Sequence, residues 1–142
     1  MSDAPVPRDV LLDTGPIVAT LDRTDQWHTR CVVAWEPHLD RCLTTEAVVT
    51  EACYLVESGG GSAALPLEFL LAAQIPIVGL EGMLHQHAAR LMRRYSDLPM
   101  DYADASLVAL ADALGLHTVM TTDHRGFRVY RPSRGSAFEV VP

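Results

Sequence analysis

Four acidic residues stand at positions suited to metal-assisted chemistry: Asp13, Glu51, Asp104 and Asp123. Asp13 ends the apolar run Val10-Leu11-Leu12, and Asp123 follows Val119-Met120-Thr121. An acid directly after a buried strand is costly unless a cation or hydrogen-bond donor meets it. By itself Asp13 reads equally well as a helix N-cap. Glu51 is separated from its neighbours by helical angle. At about 100° per residue, Tyr54, Ala47, Glu51, Leu55, Val48 and Ala52 form one arc, whereas Glu46, Thr50 and Glu57 share another side. Glu51 therefore projects from a face otherwise made for the core and needs a partner, either a metal ion or an arginine. Glu46 and Glu57 read as solvated charges. Asp101 is placed to cap a helix with Asp104 at its third position. Asp104 then aligns with Leu107, Val108 and Ala111, the inward stripe, and is the better candidate for chemistry. Asp101 is a cap, a supporting acid, or both; Asp112, late in the same helix, reads as exposed. Converging carboxylates raise one another's pKa unless divalent cations lie between them. An oxygen-only ligand set suits magnesium or manganese and leaves room for phosphate oxygens and water.

The elements that must position these acids follow from periodicity and punctuation. Val10–Leu12 reads as a short buried strand, followed by a turn at Asp13-Thr14-Gly15-Pro16 and helices over about 16–22 and 26–36. Arg41–Thr45 is a second strand, leading into a helix over about 46–58 that the run Gly59-Gly60-Gly61-Ser62 terminates. A helix over about 63–73, a strand at Ile75–Gly79 and an amphipathic helix over about 82–95 come next, the last with Leu84, Ala88, Leu91 and Met92 on one face. A helix over about 101–114 stops at Gly115. Thr118–Thr121 is a strand, Asp123 to Phe127 a loop, and the segment near Ala137–Val141 a final strand. Residues 1–8, with Pro5 and Pro7, predict a flexible tail, and 9–142 a single domain. Alternating strands and helices place the chain in the α/β class, with a mainly parallel central sheet covered on both faces. In such sheets ligands bind beyond the carboxyl ends of the strands, where Asp13 and Asp123 fall. Leu43-Thr44-Thr45-Glu46 and Met120-Thr121-Thr122-Asp123 echo each other, each ending a strand with two threonines and an acid.

Composition limits the classes of function. With 142 residues and 49% hydrophobic content, the chain can bury one core. The formal charge of −7 is unlike that of a general phosphate-tracking surface, so any nucleic-acid chemistry requires the acidity to be concentrated where cations bind. Every one of the 11 basic residues is arginine. Cys31, Cys42 and Cys53 have no C-x-x-C spacing and read as small buried hydrophobes in a reducing compartment. The N-terminus lacks signal-peptide features and no long uncharged apolar stretch occurs, so a cytoplasmic protein without a membrane span is expected. His28, His38, His85, His87 and His117 show no ligand spacing beyond His85-x-His87, which on a helix points two ways. Trp27 and Trp35 are expected to pack in the core on one helix face.

Leu11-Leu12-Asp13-Thr14-Gly15, then Thr45-Glu46-Ala47 with Glu51, then Asp101-x-x-Asp104-Ala105, then Thr121-Thr122-Asp123-x-x-x-Phe127, resemble the successive motifs of PIN domains. More narrowly, they resemble the VapC-type toxins of bacterial toxin–antitoxin pairs. The resemblance runs from Val10 to about Val141. It implies a three-layer α/β/α fold and magnesium- or manganese-dependent endoribonuclease activity, a hydrolysis of RNA phosphodiester bonds. It also implies a homodimer inhibited by a small cognate antitoxin. Asp13, Glu51, Asp104 and Asp123 match the family's acidic quartet. Thr14 matches the hydroxyl residue after the first acid, Thr121 the hydroxyl residue two before the last, and Asp101 has no fixed equivalent. On this reading two cations about 3.5–4 Å apart would hold the scissile phosphate, with Asp13 as the bridging ligand. Thr14 and Thr121 would orient the carboxylates. Attack by water would leave 5′-phosphate and 3′-hydroxyl ends. His124, Arg125, Arg128, Arg131 and Arg134 would contact phosphates or antitoxin carboxylates, or form a solvated loop. The alternative is a catalytically idle PIN-like module that binds RNA or protein. A phosphoaspartate enzyme of the haloacid dehalogenase kind fits poorly, because position 15 is glycine and the chain has no lysine.

Overall fold

The structure, a computed structural model, describes residues 7–133 and 136–142. Most of the expected tail and Arg134 lie outside the described residues. Among these residues five strands form one sheet: β1 (Val10–Leu12), β2 (Cys42–Thr45), β3 (Ile77–Val78), β4 (Thr118–Met120) and β5 (Glu139–Val141). Their order is β3-β2-β1-β4-β5, and every pairing is parallel. Successive strand side chains point to opposite faces, and all three residues of β1 are fully buried, so helices cover both faces of the central strand. That burial explains why β1 is a continuous Val-Leu-Leu run with no alternation.

Among the described residues seven helices surround the sheet: α1 (Thr14–Leu21), α2 (His28–His38), α3 (Glu46–Ser58), α4 (Leu65–Ala72), α5 (Met83–Arg94), α6 (Tyr102–Leu114) and α7 (His124–Val129). Helix α5 packs on α6, while α1 packs on α2 and α3, and α3 touches both α4 and α6. From β1 the chain builds outward to β2 and β3 on one side, then crosses over to β4 and β5 on the other. The switch point is the crevice between β1 and β4, whose pairing runs from Val10 opposite Thr118 to Leu12 opposite Met120.

Several expectations shift. The segment after Asp123 is a helix, not a loop, because the Asp123 carboxylate accepts the Gly126 N–H at 3.0 Å and caps the turn. Helix α2 carries Pro37 within its last turn, runs to His38 and begins after Trp27. Trp27 accordingly stands at the cap, half-buried, with Arg30 over its ring. Trp35 is the core tryptophan, and its indole N–H donates to Thr20 Oγ1 at 2.7 Å. Arg8 donates to the carbonyls of Leu39, Cys42 and Gln74, and so ties the chain before β1 to β2 and the turn after α4. Cys31 and Cys42 are buried as expected, and burial pushes the Cys31 thiol up to about 11.

Candidate active site

The carboxyl end of β1 is held from both sides by threonine hydroxyls. Thr44 of β2 donates to the Leu12 carbonyl at 2.7 Å, and Thr121, just past β4, donates to Asp13 Oδ2 at 2.7 Å. Thr121 Oγ1 also accepts the Asp123 N–H at 2.8 Å. One hydroxyl therefore aims the first acid and fixes the backbone of the last. The sequence echo has this physical basis: the first threonine of each pair holds the same strand end. Thr45 instead caps α3, and its hydroxyl meets Ser106 of α6 at 2.7 Å, tying the helix that carries Glu51 to the helix that carries Asp104.

Thr121→Val keeps the shape and removes both hydrogen bonds, leaving buried polar groups unpaired. It is expected to cost about 1–3 kcal/mol in urea unfolding, whereas Thr121→Ser retains most of the stability.

Asp13 sits at the N-cap position of α1 but makes no capping hydrogen bond. It is 5% exposed, and burial pushes its carboxyl up to about 6, with the Thr121 hydroxyl opposing. Burial, then the charges of Asp13, Asp101 and Asp123, push Asp104 up to about 8. For Glu51 burial again leads, followed by Asp101 beside it, and the carboxyl rises to about 7. The acids act on one another's titration, which places Asp13, Glu51, Asp101, Asp104 and Asp123 in one electrostatic neighbourhood at the switch point. Among the described residues the ion pairs are Arg41–Asp9 and His87–Asp112, so none of these five acids has an arginine partner. The arginine explanation of Glu51 is thereby excluded for the described residues.

Two further expectations sharpen here. Asp101 does cap α6, accepting the Asp104 N–H at 2.8 Å. Glu51 does not stand on a wholly buried face: Val48 and Ala52 are buried, but Tyr54 and Leu55 are exposed. The arc crosses from core to an open cleft, and Glu51 sits on that boundary. Asp112, expected to be exposed, is instead largely covered; it pairs with His87 of α5 and accepts from Ser133 Oγ at 2.8 Å. His85 and His87 do point two ways.

The sequence reading missed Tyr130. Its side chain is 1% exposed, and its hydroxyl donates to Asp104 Oδ2 at 3.3 Å. Burial and the neighbouring acids hold the phenol well above its ordinary range, so it stays a donor. No helical or strand period links Tyr130 to α6; only the signal of an aromatic just beyond α7 was available. Among the arginines after the last acid, Arg125 and Arg128 are exposed, while Arg131 spends its guanidinium on the Arg128 and Tyr130 carbonyls. The His124 ring packs against Trp27 with centroids 5.0 Å apart.

Close packing joins the two strand-end loops. A Cβ on Gly15 would collide with the Thr122 hydroxyl and come within 3.0 Å of the Thr122 Cβ, so turning the threonine gives no relief. Gly15→Ala is expected to push the Asp123 loop away from Asp13. Thermal denaturation would register about 1–3 kcal/mol of lost stability, and any activity of the acids would fall roughly tenfold or more.

The donor set suits a hard divalent cation. It is all oxygen, it carries no countercharge among the described residues, and the Thr14 hydroxyl beside it is fully buried without a hydrogen-bond partner. Among the described residues no three histidine, cysteine or acidic side chains stand at ligating distances, so holding a shared ion would require some carboxylates to turn.

The chain is 29% identical over 135 residues to Ribonuclease VapC26 of Mycobacterium tuberculosis, covering 94% of this chain and 100% of that protein. The crystal structure of Mycobacterium tuberculosis VapC20, a sarcin-ricin loop cleaving toxin, superposes with a TM-score of 0.71 at 18% identity, covering 78% of this chain and 86% of that one. VapBC2 of Rickettsia felis, solved on a DNA fragment of its promoter, gives a TM-score of 0.66 at 12% identity, covering 96% and 100%. The PIN domain profile matches residues 10–132, a span that opens at β1 and closes beyond Tyr130 and so contains every acid of the crevice. A parallel sheet that gathers carboxylates at its switch point, together with that match, shows that the chain belongs to the PIN domain family.

Proposed function

We propose that this chain is the ribonuclease toxin of a toxin–antitoxin pair, hydrolysing RNA phosphodiester bonds with magnesium or manganese held by Asp13, Glu51, Asp104 and Asp123. The observation that carries this reading is the convergence of these acids at the β1–β4 crevice with no arginine to neutralise them. The likeness to a protein named as a ribonuclease, and to toxins solved alone and with antitoxins, supports it. When bound, divalent cations supply activation of water and neutralise charge on the phosphate.

The chain's own residues do the positioning. Thr121 holds the Asp13 carboxylate and sets the backbone of Asp123. Asp101 fixes the first turn of α6, so Asp104 faces the crevice from a rigid helix. Tyr130 donates to Asp104 Oδ2 and so helps to fix that carboxylate. Asp123 spends Oδ1 on the α7 cap, leaving Oδ2 as its available ligand atom. Thr14 completes the set as a buried hydroxyl able to orient Glu51. The same reading makes residues 9–142 one domain, working in the cytoplasm as a homodimer restrained by a small cognate antitoxin. Among the described residues, no helix is long and apolar enough to cross a membrane.

The test is cleavage of a defined RNA by purified protein. Cleavage is expected with magnesium or manganese and not with excess chelator, giving 5′-phosphate and 3′-hydroxyl ends. Cyclic 2′,3′-phosphate ends would rule out direct attack by water.

A further inference from the structure

The cleft that Glu51 borders is not used by the chemistry described so far. It has a volume of about 660 Å³ and lies between α3, the start of α6 and the start of α5. That is the size of an ordinary small-molecule site, roughly 300–1,000 Å³. Two tyrosines, Tyr54 at 68% exposure and Tyr102 at 42%, stand on its walls, and Leu80 forms apolar lining. His85 faces Tyr102 with ring centroids 6.4 Å apart. Large aromatic faces left in water beside a cleft are what an unstacked nucleobase uses in place of its lost neighbours.

The polar lining narrows the occupant. Glu46 contributes a carboxylate and Thr50 a hydroxyl, while Glu51 and Asp101 also line it; among the described residues no arginine does. A phosphate would be repelled there, and an electrically neutral base would not. A carboxylate is acceptor-only, so it selects a base edge carrying adjacent donors. Guanine presents N1–H and the N2 amino group side by side, matching both oxygens of one carboxylate. Adenine and cytosine set a ring-nitrogen acceptor next to their amino group, and uracil flanks its single N–H with carbonyls. The Glu46 carboxylate stands 3.3 Å from where a Gly79 Cβ would be. The lack of a side chain at Gly79 lets that carboxylate approach the backbone there.

We propose that this cleft is a base-recognition subsite in which Tyr54 and Tyr102 stack an extruded guanine of the RNA and Glu46 reads its Watson–Crick edge. The proposal rests on the ribonuclease reading, since Glu51 belongs to both the cleft and the acid cluster. A nucleotide seated here would have its phosphate beside the acids that would hold the cations.

Two measurements keep the proposal separate from that reading. Guanosine and adenosine are titrated into the purified protein, followed by tyrosine fluorescence and by chemical-shift changes. Wild type is expected to bind guanosine at least tenfold more tightly than adenosine. Glu46→Gln should abolish the preference, and Tyr102→Ala should weaken both nucleosides. Oligoribonucleotides differing in one base beside the scissile bond are then cleaved. Wild type should favour guanine about tenfold in kcat/KM, and Glu46→Gln should lose that preference. Equal binding of the two nucleosides overturns the subsite even if RNA is cleaved. So does sedimentation showing a dimer whose Tyr54 and Tyr102 are shielded, since a second copy would then cover the cleft. Guanosine selectivity with no RNA cleavage would retain the subsite and sink the nuclease instead.

Discussion

Asp13→Asn is expected to lower metal-dependent RNA cleavage by at least about a thousandfold while leaving the protein as stable as before, or more so. The fall in activity follows from the loss of a carboxylate at the centre of the crevice, where β1 leaves the sheet between β2 and β4. Groups that act as one unit in catalysis are costly to remove singly. The stability result follows from burial. Asp13 is 5% exposed and has no ion-pair partner among the described residues, so its ionised form is a burden on the metal-free fold. Asparagine has the same shape and still accepts the Thr121 hydroxyl. Were Asp13 a structural residue, the same substitution would lower the melting temperature and spare activity. Thermal denaturation and single-turnover cleavage, measured on one preparation, separate the two outcomes.

Metal-free protein is expected to lose stability as the pH rises from about 4 to about 8. The folded-state pKa values of Asp13, Glu51 and Asp104 rise to about 6, 7 and 8, above the ordinary 3.8, 4.5 and 3.8. Through that window the native state binds more protons than the unfolded chain, so stability falls with pH. The sign is opposite to that of a salt-bridged carboxylate, which loses stability on acidification. The three acids influence one another, so they titrate as a group rather than as independent sites. A decrease in melting temperature of roughly 5–10 °C across the window is expected. Magnesium or manganese at millimolar concentration should restore most of it at the upper end, because binding to the native state alone adds to stability. A flat or rising profile without metal would show that the acids are already paired. Asp104→Asn should flatten the profile, since Asp104 is the acid shifted furthest.

Much of the site could be read from one sequence. Asp13 and Asp123 were marked by their places after apolar runs, because a strand buried on both faces shows its end wherever the first charge occurs. Asp101 and Asp104 were resolved by capping chemistry, which acts over three residues and needs no tertiary information. The parallel sheet followed from alternation, since β1 and β4 must be joined through crossovers.

Other features depended on which elements meet. Helical angle placed Glu51 on a definite face, but only the packing of α6 against α3 showed that this face is half core and half cleft. Glu46 is exposed, as its helical angle predicts, and stands on the wall of that same cleft. Asp112 looked free within its own helix, yet α5 and the segment at Ser133 cover it. Tyr130 reaches Asp104 across 26 residues, a distance no local period spans. The sequence by itself determined which acids leave strand ends or face inward, because strand and helix periods are properties of neighbouring residues. Only the tertiary structure decided which of those acids share one crevice and what borders it, because that depends on the order of strands in the sheet and on which helix packs against which.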